Sequence, residues 1–166
     1  MVQFKKGSRT LGRVGVCLAF VSSILVFTGP ASAAEKLATS YEYGHDQFTV
    51  YLNGDEARYG GDRDGSGVAR LDFDPENNRV CYVITWRRLE GAVTSFDLNM
   101  SPRRSDGPHW IEFFNNEHFD GDRNTVADCV RSSSRRIRDV MDEPYYYYLV
   151  VRTTAHESGA IRGQLR

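Results

Sequence analysis

Lysine is nearly missing from this 166-residue chain: after Lys5, Lys6 and Lys36 there is none. Arginine carries the remaining positive charge, and the formal net charge is only -1. Such a balance excludes a nucleic-acid binder that works by bulk electrostatics. No apolar run approaches the roughly 20 residues of a spanning helix. The longest, Val14 to Phe27, is 14 residues. Cysteine is scarce, with three in all and no C-x-x-C pair, which disfavours a thiolate metal site. There is no G-x-S-x-G elbow, no H-E-x-x-H and no Ser or Cys nucleophile with a recognisable partner histidine. Internal repeats and low-complexity tracts are also lacking.

What is present begins with an export signal. Lys5, Lys6, Arg9 and Arg13 precede the apolar run, and Gly29-Pro30 and Ala31-Ser-Ala33 follow it. A basic stretch, an apolar stretch and a small-x-small site together read as a secretory signal cleaved after Ala33. The expected organisation is a signal at 1–33, a lead-in at 34–46 and one domain at 47–166, exported and with no membrane span after cleavage. Removing the signal leaves 17 basic against 22 acidic residues, about -5. It also leaves two cysteines, Cys81 and Cys129. An even pair in an oxidising compartment predicts a disulfide.

The domain reads as short strands. Phe48–Leu52 is rich in β-branched and aromatic residues. Val68–Asp74 alternates, with Ala69, Leu71 and Phe73 on one face and Arg70, Asp72 and Asp74 on the other. Asp74-Pro-Glu-Asn-Asn78 has the residues of a turn, so Val80–Trp86 should complete a hairpin. Thr94–Met100 splits likewise, with Ser95, Asp97 and Asn99 on the polar face. Trp110–Phe114, Val126–Val130, Tyr145–Thr153 and Ala160–Leu165 complete the set. One helix interrupts: Ser132–Ser134 offer capping hydroxyls, Ile137, Val140 and Met141 share a face, and Pro144 ends it. The Arg131, Arg135, Arg136 and Arg138 run is followed by Asp139, Asp142 and Glu143, which reads as a mixed-charge solvated face. These elements predict an all-β antiparallel, immunoglobulin-like or Greek-key β-sandwich with one short helix before the penultimate strand.

Two loops place oxygen ligands at alternate positions, Asp62 and Asp64 in one, Asp120, Asp122 and Asn124 in the other. Both depart from a full EF-hand, since their twelfth positions are Phe73 and Arg131. They stand as weak calcium candidates against the plainer reading of turns and a solvated acidic loop. Carboxylate pairs such as Asp72 with Asp74, or Glu112 with Glu117, leave a two-carboxylate glycosidase open, because separations across strands are not readable from sequence.

Three stretches resemble the chordin-type (CHRD) domain: Gly61-Asp-Arg-Asp-Gly-Ser-Gly-Val-Ala69, Arg79-Val-Cys-Tyr82 and Gly159-Ala-Ile-Arg-Gly-Gln-Leu165. Gly91-Ala-Val-Thr94 and Asp106-Gly-Pro108 sit where that family has its central strand and next loop. The resemblance spans about Tyr41 to Arg166. It implies a secreted β-sandwich module with no established enzymatic activity. Many members carry His-x-His in the central strand, where this chain has Asp97-Leu98-Asn99, and a histidine near the end of the penultimate strand, where it has Arg152. Its four histidines after the signal, His45, His109, His118 and His156, show no paired spacing. Asp97, Asn99 and Arg152 are therefore the candidate polar site. With neither imidazole nor thiolate on that face, no transition metal is expected, and Arg152 should pair with Asp97 instead. The expected function is a non-catalytic extracellular module that binds an unknown protein or surface ligand, or serves a structural role. A calcium-stabilised module is the alternative, and an unrecognised hydrolase is a third.

Overall fold

The computed structural model describes residues 46–166, so the expected export signal at 1–33 and nearly all of the expected lead-in lie outside the described residues. Eight strands follow in order: β1 (Asp46–Asn53), β2 (Ser66–Asp74), β3 (Arg79–Arg87), β4 (Val93–Met100), β5 (His109–Phe114), β6 (Arg123–Arg131), β7 (Tyr147–Thr153) and β8 (Ile161–Gln164). One helix, α1 (Ser134–Asp142), lies between β6 and β7, before the penultimate strand as expected. Its N-cap is Ser133, whose Oγ accepts from the Arg136 amide at 3.4 Å, and Ile137 and Val140 enter the core. Arg136 stacks on Trp110, 5.3 Å from the ring centre, while Arg135 and Arg138 stay exposed. Tyr145 and Tyr146 belong to a 3₁₀ turn (Pro144–Tyr146) and are exposed, so β7 starts two residues later than the sequence suggested. No helix among the described residues is long and apolar enough to cross a membrane.

The all-antiparallel prediction holds, but the strands do not separate into the two sheets of a sandwich. They form one sheet in the order β5-β4-β7-β8-β1-β2-β3-β6, curled until its two edges approach. Aromatic rings fill the space between those edges. Tyr82 of β3 packs against Phe113 of β5 at 4.9 Å, and Trp86 against Phe114 at 6.4 Å. The halves that a sandwich would keep apart are joined where Asn53 of β1 pairs with Arg162 of β8. Gly163 makes that approach feasible: a Cβ there would stand 2.4 Å from the Tyr51 carbonyl oxygen. The barrel interior holds Leu71, Phe73, Tyr82, Ile84, Trp86, Phe96, Leu98, Leu149 and Ile161, all essentially inaccessible. Each such side chain contributes about 1.5–3 kcal/mol on burial.

The hairpin turn forms as the sequence implied, with Asn78 at φ 53° and the Asp74 carboxylate accepting from the Asn77 amide at 3.0 Å. Cys81 and Cys129 stand directly opposite in the β3–β6 ladder and are bonded, clamping the edge strand β6 to its neighbour. The simple inside–outside alternation fails in places. Asp72 and Asp74 are 3% and 1% exposed although they share the polar face of β2 with exposed Arg70.

Candidate functional site

On β4 the interior takes Phe96 and Leu98, which directs Ser95, Asp97 and Asn99 to the outer face. That face is covered rather than solvated: Asp97 and Asn99 are each 3% exposed. The neighbouring strand supplies one cover, since Ser95 pairs with Arg152 and Asp97 with Val150 across β4–β7. Arg152 Nη1 donates to Asp97 Oδ2, and the Ser95 hydroxyl donates to the same oxygen at 3.1 Å. The Arg152–Asp97 pair expected from the sequence is therefore formed.

Asn99, the third candidate, turns away from this pair. Its Nδ2 donates to the Tyr148 hydroxyl at 3.3 Å, and Arg162 lies over the Tyr148 ring, 3.5 Å from its centre. The loop between β4 and β5 covers this second network, with Gly107 donating to the Tyr148 hydroxyl at 3.4 Å and Asp106 pairing with Arg162, also at 3.4 Å. Asn99 Oδ1 is buried without a protein hydrogen-bond partner among the described residues.

The other cover over Asp97 is β5, and its geometry is irregular. Asp97 pairs with Glu112, Leu98 with Ile111 and Asn99 with His109, so Trp110 has no partner and β5 is bulged. In a regular strand, residues three apart point to opposite faces. The bulge at Trp110 adds one step and returns His109 to the face of Glu112, the re-aiming for which bulges beside functional sites are known. His109 Nδ1 reaches 3.4 Å from Asp97 Oδ1. The ligating atoms of Asp97, His109 and Glu112 all lie within 4.8 Å of one another. This corrects the reading of the face as free of imidazole. The sequence signal for His109 was hidden in the spacing: an i, i+3 pair in a strand carries no hint of a shared face.

Electrostatically, Asp97 is strained between opposing effects. Burial pushes its carboxyl above the usual carboxylate range, Arg152, His109 and the Ser95 hydroxyl pull it down, and Glu112 pushes it up again. Burial is the largest of these effects, so the carboxyl stands above its usual range.

The two calcium-candidate loops both bond to the Arg88–Glu90 segment and border one cleft. Arg88 and Leu89 amides donate to the Asp122 and Gly121 carbonyls at 2.6 and 2.8 Å, and a shallow cleft is lined by Asp62, Asp64, Arg88, Leu89, Glu90 and Asp122. Much of the oxygen is already committed. Asp62 Oδ2 accepts from the Glu90 amide at 2.6 Å, Asp120 Oδ1 from the Asp122 amide at 2.9 Å, and Asn124 Oδ1 from the Thr125 amide at 2.8 Å.

Set against known families, residues 48–165 match the model of the CHRD domain. The chain belongs to the CHRD domain family. No curated protein and no solved structure matches it. Within this CHRD domain, the matched region begins in β1 and ends one residue past β8, so the family unit is the whole nearly closed sheet with α1.

Proposed function

We propose that this CHRD domain is secreted through its N-terminal signal and acts as a non-catalytic extracellular binding module, with the outer face of β4, β5 and β7 as its contact surface. One observation carries the choice of face. A carboxylate, Asp97, lies nearly inaccessible beside two solvent-exposed side chains, His109 and Glu112, on the outside of the barrel. A half-compensated buried charge costs stability, and such arrangements concentrate where a ligand supplies the missing partner. Export accords with the disulfide and with the family, whose members are typically extracellular.

Site-specific photo-crosslinking in the producing culture tests this. A benzoyl-phenylalanine at position 112 should give discrete extracellular adducts, and one at position 70, on the outer face of β2, should give none. Equal labelling from both positions, or none from position 112, would remove this face as the contact surface.

The cleft bordered by both Asp-rich loops supports a second reading, a calcium-stabilised module. A rise in melting temperature with calcium but not magnesium, lost in Asp64→Asn, would favour it. Identical melts with both ions would exclude it.

A further inference from the structure

We propose that Asp97, His109 and Glu112 form a binding site for one divalent transition-metal ion, with zinc as the ion that fits the donors best. The donor set is one imidazole nitrogen and two carboxylate oxygens, drawn from two adjacent strands. Zinc takes imidazole and carboxylate at about 2.0–2.2 Å, and three protein donors plus a water complete its four-coordinate shell. Two donors on one such ion are at most roughly 4.2 Å apart. The trio, within 4.8 Å throughout and with His109 already 3.4 Å from Asp97, therefore needs to close only slightly. The two donors that would move, His109 and Glu112, are the exposed ones. Calcium needs six to eight oxygen ligands, and this group offers too few.

Three further features point the same way. The carboxylate of Asp97 is divided in use. Oδ2 is fixed by Arg152 and Ser95, which leaves Oδ1 directed to His109. That is how an outer layer of hydrogen bonds orients a metal ligand. The bulge at Trp110 is the second feature, because without it His109 would face the interior. Charge is the third: two carboxylates outnumber the one guanidinium and leave the site net negative, which favours a cation. None of this requires a partner protein, so the site stands or falls separately from the contact surface proposed above.

The test is isothermal titration of zinc chloride into tag-free protein comprising residues 34–166, stripped with chelator. One equivalent should bind. His109→Ala and Glu112→Ala should each weaken binding about 10-fold or more while remaining folded, since both side chains are exposed. His118→Ala should bind as the parent does, and millimolar calcium should not compete. Absence of binding in the parent would overturn the proposal, and so would parent-like affinity in His109→Ala and Glu112→Ala. Crosslinking from position 115, whose side chain touches Glu112 and leaves all three donors in place, separates the two claims when repeated in chelator, because a docking surface independent of zinc would still label.

Discussion

Arg152 and Asp97 are bonded side chain to side chain, and the guanidinium satisfies only one of the two carboxylate oxygens. The other faces His109. Asp97 thus has a structural side, held by Arg152 and Ser95, and an outward side shared with β5.

Breaking the structural side should be costly. Arg152→Met leaves a buried carboxylate without its main counter-charge and should lower stability by about 1.5–3 kcal/mol. Adding Asp97→Asn removes the orphaned charge and should restore part of that loss, giving a coupling of about 1–3 kcal/mol in a double-mutant cycle by urea unfolding. Strictly additive effects would show that the pair contributes nothing to folding.

The joint between the two halves of the sheet depends on a missing side chain. Gly163→Ala places a Cβ 2.4 Å from the Tyr51 carbonyl oxygen and 2.7 Å from Val50 Cγ1, so β1 and β8 must part. The expected cost is about 1–3 kcal/mol by thermal or chemical unfolding. A variant as stable as the parent would show that the strands are looser there than described.

Cys81 and Cys129 close a loop with a sequence separation of 48. Non-reduced intact mass should be two hydrogens below the dithiol value, and Cys81→Ser should cost about 2–5 kcal/mol. Two alkylatable thiols in the secreted protein would refute the bond.

Burial raises the Tyr82 hydroxyl from 10.0 to about 12, with Asp128 and Glu117 adding to the effect. The folded state therefore keeps this proton when the unfolded chain has released it. Tyr82's contribution is complete below pH 10 and falls away as pH rises from 10 towards 12. Tyr82→Phe should lose less stability than the parent across that interval in melts at successive pH values. Parallel curves would mean the hydroxyl is solvated in the folded protein.

The strands were legible because their apolar residues alternate, as in Ala69, Leu71 and Phe73, and because Asn78 and Pro144 mark turns that the chain does make. The side-chain pairing of Arg152 with Asp97 was legible from the family pattern. The joining of the two halves into one sheet was not, since it rests on one pairing between distant strands, Asn53 with Arg162, that no local pattern encodes. The burial of Arg162 followed the same way, because its cover is the loop holding Pro102 and Asp106. His109 and Glu112 escaped for a geometrical reason. A strand's period of two separates them, and only the bulge at Trp110 reunites them.

The convergence of His109, Glu112 and Asp97 on one outer face is tested most directly by nuclear magnetic resonance of ¹⁵N-labelled protein titrated with zinc. The His109 imidazole nitrogens and the backbone amides around Asp97 and Glu112 should shift together and saturate at one equivalent, while His118 and His156 remain unmoved. Shifts centred instead on Asp62, Asp64 and Asp122, or movement of His109 without Asp97 and Glu112, would contradict it.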